Sequence, residues 1–270
     1  MMIKYFPKGE YHTSDSQPRL LGDRLFLNTR FYFITKFVNI LLKVRKTIKD
    51  KGIERLNREE WAQASYEIFK LIEGCGGKFH ITGIDNLAKI QGPVVFVSNH
   101  MSTLETMVFP SIIAPYLDST FVVKDSLVKH FVFGPIVRSR EPVVVGRKNP
   151  REDLQTVMRE GQDRLEKGYS LIIFPQSTRT TNFIPEEFNS LGVKLAKKNN
   201  VQVVPIAIKT DFWENGKIMK DLGPIYRNRP IYIAIGEALT IEGNGKDEHN
   251  HIVDFIDEEI KGWELNNSVK

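Results

Sequence analysis

From residue 78 onward, short Val/Ile-rich apolar runs alternate with longer stretches of helical period, and few folds accept that alternation. Phe79–Thr82, Val94–Ser98, Thr120–Val123, Pro142–Val145, Ser170–Phe174, Val201–Ile208 and Pro230–Ile235 read as strands, being short, β-branched and bounded by Gly, Pro or polar residues. Several lack any polar alternation, which marks strands buried on both faces. Helices are expected between several of them, over roughly 103–115, 151–167, 186–199 and 247–264. Asn149-Pro150-Arg151-Glu152-Asp153 is a strong helix start, with Pro at the first turn and acids behind it. Gly192 inside the third helix weakens it locally. The expectation is an α/β fold, a mostly parallel central sheet flanked by helices. In such sheets ligands bind outside the carboxyl ends of the strands.

A length of 270 residues suits one large domain, or one domain with a smaller appendage. With 41% hydrophobic and 26% charged residues the composition is that of a folded protein, so disorder is not the reading. The single cysteine, Cys75, excludes an internal disulfide framework and a multi-thiolate zinc site. Met1 to Tyr11 holds no apolar core of the kind a secretory signal needs. The Gly74-Cys75-Gly76-Gly77 cluster is the natural boundary between residues 1–73 and an α/β body over residues 74–270.

Charge separates the same two parts. The net +5 hides a segment from Arg19 to Arg55 with ten Lys/Arg against Asp23, Asp50 and Glu54, a local +7 that leaves the rest slightly acidic. A helix is expected over roughly 24–50, with Leu27, Phe31, Ile34, Phe37, Val38, Leu41 and Ile48 on one wide face and Tyr32, Lys36, Asn39, Lys43 and Lys46 opposite. Lys36 and Lys43 interrupt the apolar stretch, so it is too short to span a bilayer. Such a helix lies on an anionic membrane surface or packs its apolar side onto the body. Nucleic acid is the other partner of basic helices, but no groove-reading motif accompanies this one, and none is expected to bind.

Four short blocks carry chemistry, each at the end of an expected strand. Asn99-His100 follows Val94–Ser98, and Glu105 stands five positions after the histidine, in the first turn of a helix that Ser102 or Thr103 can cap. An imidazole with a carboxylate one turn away is a general base with its orienter, or else a histidine that satisfies backbone groups. Arg147 leaves Pro142–Val145, and Lys124 leaves Thr120–Val123; either cation can meet a phosphate or only water. Phe174-Pro175-Gln176-Ser177-Thr178-Arg179-Thr180 ends the next strand with small hydroxyl residues and a cation, an anion nest or a plain loop. Val203-Val204-Pro205-Ile206-Ala207 reads first as ordinary core, with the proline leaving open an edge or bulge that walls an alkyl groove.

Order and spacing of these blocks resemble the lysophosphatidate acyltransferase (PlsC-like) family of glycerolipid acyltransferases. That family carries N-H-x-x-x-x-D, an arginine after a Val/Ile strand, F-P-E-G-T-R-S and a V-P-[IV] strand. Here the matching positions are Asn99-His100 to Glu105, Val145-Gly146-Arg147, Phe174 to Thr180 and Val204-Pro205-Ile206, so the likeness covers roughly residues 78–240. The resemblance implies that His100 takes the proton of an acceptor hydroxyl, which attacks the thioester of acyl-CoA or acyl carrier protein, and that Glu105 orients the imidazole. It implies that Arg147 and Arg179, with Lys124, hold the acceptor's phosphate beside Asn99, Gln176, Ser177 and Thr178, while backbone amides stabilise the oxyanion. The first choice of acceptor is 1-acylglycerol-3-phosphate. No metal and no cofactor beyond the acyl donor is called for, and the place of action is the cytoplasmic face of a membrane, attached at its surface.

Two positions depart from the family pattern. Glu105 replaces Asp and is one methylene longer, and Gln176-Ser177 replaces Glu-Gly, removing a charge and a permissive backbone position. These changes should reshape the acceptor site, which leaves a lyso-aminolipid or another lysolipid as an alternative acceptor and a non-catalytic lipid-binding protein as an alternative function. A metal-dependent hydrolase using His249 or His251 with His100 and Glu105 is a further reading, though the spacing forms no compact ligand set.

Overall fold

The computed structural model describes residues 4–26, 29–52, 55–176, 178–217 and 220–268. Among these, Tyr11–His12 (β1), Phe79–Thr82 (β2), Val95–Ser98 (β3), Ser119–Lys124 (β4), Val143–Val145 (β5), Ser170–Ile173 (β6), Val203–Lys209 (β7) and Ile231–Ile235 (β8) form one sheet in the order β1-β2-β8-β7-β3-β6-β4-β5. The pairs from β7 through β5 are parallel, as is β2–β8, while β1–β2 and β7–β8 run antiparallel. The helices are Leu21–Leu25 (α1), Phe31–Asp50 (α2), Arg58–Gly74 (α3), Ile84–Lys89 (α4), Leu104–Ile113 (α5), Asp125–Lys129 (α6), Phe133–Arg138 (α7), Pro150–Glu166 (α8), Leu191–Lys198 (α9) and Lys246–Ser268 (α10). The expected α/β architecture is therefore what forms.

Strand pleating sorts the core into two layers. Val95, Val97, Leu171 and Ile173 pack with Val157, Leu195, Ile252 and Ile256 of α8, α9 and α10. Their strand neighbours Val94, Phe96 and Ile172 point the other way, into a cluster with Phe37, Phe69 and Phe109 of α2, α3 and α5. Because successive side chains face opposite sides, a sheet covered on both faces needs apolar residues at every position, which is what the sequence runs provide.

Local chemistry sets the helix boundaries. Asn57 and Glu60 form a reciprocal capping box at the start of α3, and the Asn149 side chain accepts from the N–H groups of Arg151 and Glu152 at the start of α8. The helix expected over 186–199 resolves into a 3-10 turn at Pro185–Glu187 and α9, which begins at Leu191. Gly192 is an advantage there rather than a weakness. A Cβ at that position would lie 2.4 Å from Val97 Cγ2, so its absence lets α9 rest directly on β3.

At Pro205 the core reading holds and the edge reading does not: β7 is an interior strand, flanked by β3 and β8. Its carbonyl accepts from Gly236 N–H at 2.9 Å, just beyond the last residue of β8, so its imino nitrogen faces a neighbour that is already leaving the sheet. The missing donor thus affects only a terminal rung. β7 is ordinary core, and Pro205 is not among the residues that line the cavity described below.

The N-terminal segment folds onto the body. Asp23, fully buried in α1, receives hydrogen bonds from Arg19 Nε at 2.9 Å and Arg227 at 2.7 Å. The single helix expected over 24–50 is instead two, α1 and α2, and Leu27 of the expected face lies outside the described residues. In α2 the buried residues are Phe33, Phe37 and Leu41, with both phenylalanines edge-on to the Trp213 indole at 4.8 and 4.9 Å. Phe31, expected on one apolar face with Phe37 and Leu41, is exposed while those two are buried. Apolar residues occupy more than one side of this helix, and the tryptophan decides which side is inner. None of the described helices is long and apolar enough to cross a membrane.

Candidate active site

β7, β3, β6, β4 and β5 are neighbours running in one direction, so the residues that follow them meet along one edge of the sheet. His100 follows β3, Gln176 and Arg179 follow β6, Lys124 ends β4, Arg147 follows β5 and Thr210 follows β7. Residues up to 114 positions apart thereby share hydrogen bonds.

Glu105 is completely buried and accepts five hydrogen bonds. They come from His100 Nδ1 at 2.8 Å, the N–H groups of Met101 and Ser102 at 2.7 and 2.8 Å, and the hydroxyls of Ser102 and Thr210 at 2.9 and 2.7 Å. Burial by itself would raise this carboxyl. His100, through its hydrogen bond and its charge, together with the Ser102 N–H and the Thr210 hydroxyl, outweighs burial and holds it below the usual carboxylate range. An ionised carboxylate only accepts, so Nδ1 carries a proton, and in the neutral ring Nε2 presents its lone pair. The His100 ring is stacked on Phe174, 4.2 Å between centroids, and its backbone N–H donates to Gln176 Oε1 at 2.7 Å.

The expected site residues separate into groups. His100, Lys124, Arg147, Gln176, Thr178 and Arg179 all border one cavity of about 570 Å³. The same cavity is also lined by Phe174, Met107, Phe121, Ile136, Trp61 and Arg140. Asn99 stands apart from it: its amide exchanges two 2.9 Å hydrogen bonds with the Ile208 backbone and ties β3 to β7. Gln176 is a brace as well, its amide joining His100 N–H to the Thr180 hydroxyl at 2.9 Å. Ser177 lies outside the described residues. Phe174 borders the cavity, whereas Phe183 and Phe188 pack on each other in the opposite layer, where His249 stacks on Phe188. Cys75 is buried, and burial first among several causes pushes its thiol up to about 12, which makes it an inert packing residue.

Arg147 adopts φ 57°, a left-handed backbone that side chains other than glycine rarely take. The Asp153 carboxylate holds that turn, accepting from Gly146 N–H at 2.9 Å and Arg147 N–H at 3.0 Å. Strain kept at a cavity-lining cation is the kind of feature that marks a working site.

Against this geometry stand the similarities to known proteins. Residues 78–209, the segment from β2 through β7, match the family model described as Acyltransferase. The 1-acyl-sn-glycerol-3-phosphate acyltransferase of Pseudomonas aeruginosa is 26% identical over 188 residues, 69% of this chain and 68% of that protein. The stretch from β2 through β7 is an acyltransferase domain. A chloroplastic 1-acyl-sn-glycerol-3-phosphate acyltransferase of Arabidopsis thaliana is 30% identical over 53% of this chain, an alignment that spans only 38% of the plant protein. The crystal structure of the 1-acyl-sn-glycerophosphate acyltransferase PlsC from Thermotoga maritima superposes with a TM-score of 0.63 over 90% of this chain and 96% of that one; at 16% identity it speaks for the fold alone.

Within the acyltransferase, both departures from the family pattern have a local rationale. The longer Glu105 reaches the imidazole and Thr210 together, and Gln176 supplies through its amide oxygen an acceptor for His100 N–H that needs no charge. Sequence reasoning missed Thr210, Asn215 and Asp221. Asn215 donates to Met101 O at 3.0 Å, and Asp221 accepts from the Thr103 hydroxyl at 2.8 Å and from Arg179 at 2.7 Å. All three follow the V-P-I strand, and the only hint in the sequence was a run of polar residues after a strand end, where ligands bind in such sheets.

Proposed function

We propose that this chain transfers a fatty acyl group from acyl-CoA or acyl carrier protein to the free hydroxyl of 1-acylglycerol-3-phosphate, giving phosphatidate, with His100 as general base. The observation that carries this reading is the Glu105–His100 pair, with His100 bordering a cavity lined by both cations and apolar side chains. The acceptor oxygen forms a bond to the thioester carbonyl carbon while its proton passes to His100 Nε2. The C–S bond then breaks and the imidazolium returns the proton to the thiolate, leaving an ester and a free thiol. Glu105 fixes the tautomer and offsets the imidazolium charge. Arg147, Arg179 and Lys124 hold the acceptor's phosphate, with Thr178 beside them, while the apolar part of the cavity takes an alkyl chain. The names of the relatives support this acceptor, and the three cations favour a phosphorylated head group over a lyso-aminolipid.

Residues 1–73 serve as the membrane-facing layer and residues 74–270 as the catalytic body. Leu21, Leu25, Phe26 and Phe31 are exposed on the outside of α1 and α2, among Arg24, Arg30, Lys36, Lys43 and Lys46. Apolar side chains among cations suit the boundary of an anionic bilayer, reached from the cytoplasmic side. Thiol release from acyl-CoA and acyl carrier protein, measured with a panel of lysolipids and followed by lipid mass spectrometry, tests the whole reading. Wild type should release thiol much faster with an acceptor than without and form phosphatidate, and His100→Ala should lose about 10³- to 10⁴-fold. Equal rates in the two proteins, or no thiol release with any acceptor, would sink it.

A further inference from the structure

Arg179 stands where the acceptor hydroxyl has to come. With Nδ1–H directed at Glu105, the working end of His100 is the Nε2 lone pair, and Arg179 Nε–H points at it from 3.4 Å. A lone pair taken by a guanidinium N–H cannot at the same time receive a hydroxyl proton. The guanidinium is anchored in that position through its NH1 group, which donates to Asp221 Oδ1 at 2.7 Å and to Asn215 Oδ1 at 3.4 Å. Both anchors are tied to the loop that follows His100: Thr103 Oγ1 donates to Asp221 at 2.8 Å, and Asn215 donates to Met101 O at 3.0 Å. The side chains of Arg179 and Asp221 are 18% and 27% exposed and border the cavity, so an anion arriving there can reach the pair. A phosphate carries more charge than one carboxylate and meets Arg147 and Lys124 in the same cavity, so it competes well for the guanidinium.

We propose that Asp221 is a positioning residue that parks Arg179 on His100 Nε2 until an acceptor phosphate draws the guanidinium away. The inference rests on the acyl-transfer reading above and adds a way to spare the donor. With the acceptor absent, water in its place would attack the thioester carbonyl; the C–S bond would break, and the water proton would pass through Nε2 to sulfur, wasting the donor as fatty acid and free thiol. Covering Nε2 denies water its base. Arrival of the phosphorylated acceptor uncovers the base only when the correct nucleophile is present.

The experiment uses the full chain with a long-chain acyl-CoA and compares thiol release without acceptor to ester formation with 1-acylglycerol-3-phosphate. In Asp221→Asn, which keeps the shape and removes the charge, the ratio of hydrolysis to transfer should rise about fivefold, the scale of a partly exposed ion pair. The acceptor KM should fall or stay level, since a competitor for Arg179 has gone. The added hydrolysis must vanish in the Asp221→Asn/His100→Ala double variant, a result that mere loosening of the loop would not produce. Thr103→Ala, which removes the hydroxyl steadying Asp221, should shift the ratio the same way and decides the matter if Asp221→Asn does not fold. An unchanged ratio, or hydrolysis and transfer falling together, overturns the role of Asp221. Absence of acceptor-dependent, His100-dependent transfer in wild type would instead overturn the reading beneath it.

Discussion

Glu105 and the outer face of α1 and α2 show two opposite uses of side chains within one chain. Glu105 is a charged group with no exposed surface, and its cost of desolvation is offset by five hydrogen bonds. Leu25 and Phe31 are apolar groups left 70% and 65% exposed. Each arrangement would be unfavourable alone, and each becomes sensible once a partner is supplied. For the carboxylate the partner is internal, the imidazole and its surrounding donors. For the apolar face the proposed partner is a membrane surface. The contrast separates a buried charge matched within the fold from apolar side chains that the fold leaves exposed.

Breaking the internal partnership should have the largest consequence. Glu105→Gln is expected to lower turnover about 10³-fold while leaving acceptor KM nearly level, because the carboxylate orients the base rather than binding substrate; equal loss in both would count against the assignment. The same variant has a pH signature. Glu105 is held below its unfolded value, so its contribution to stability is complete above about pH 4.3 and is lost as pH falls through the folded value; urea unfolding across the acid range should show a shallower fall in Glu105→Gln than in wild type. Next comes the inner face of α2. Phe37→Ala opens a space against Trp213 and should cost about 3–5 kcal/mol by denaturant unfolding, and a loss under about 1 kcal/mol would mean that α2 is not integral to the core.

A smaller effect is expected at the rim. Arg147→Ala should raise the KM for 1-acylglycerol-3-phosphate about tenfold with kcat within a factor of about two, as befits one exposed charge-assisted contact. A matching rise in donor KM would move Arg147 to the other substrate. Smallest is the outer face: replacing Leu25 and Phe31 together by serine should weaken adsorption to anionic vesicles about fivefold in a sedimentation assay, with activity on detergent-dispersed substrate unchanged. Undiminished adsorption would leave that face without a membrane role and blur the distinction between the two regions.

Much of the fold was legible because buried parallel strands and amphipathic helices leave periodic marks. The interior strands and the helices α8 and α10 were read within a few residues of their observed limits. The two-residue β1 and the one- or two-turn helices α4, α6 and α7 were not, since so short an element carries less than one period of pattern and is held by its neighbours. His100, Glu105, Lys124, Arg147 and Arg179 were candidates because chemistry-bearing residues at strand ends stand out from a line of text. Which of the remaining polar residues face the cavity could not be read that way. Asn99 and Gln176 look like ligands for substrate in the sequence, yet the structure uses Asn99 on the Ile208 backbone and Gln176, still bordering the cavity, on His100 N–H and the Thr180 hydroxyl. Nothing in the sequence tied Asp221 to Arg179, the arginine 42 positions away that it holds.

Sequence by itself determined the alternation of strand and helix, the cations gathered near the N-terminus and the residues able to do acid–base chemistry. These are local properties of composition and period. Tertiary structure alone decided that Trp213 would choose the inner face of α2, that Pro205 would fall at a terminal rung, and that Arg179 would rest on the imidazole between Asp221 and Asn215. The reason is physical: hydrogen bonds and ring contacts act over a few ångströms, and strand order, which no local pattern encodes, determines which distant residues come within that reach.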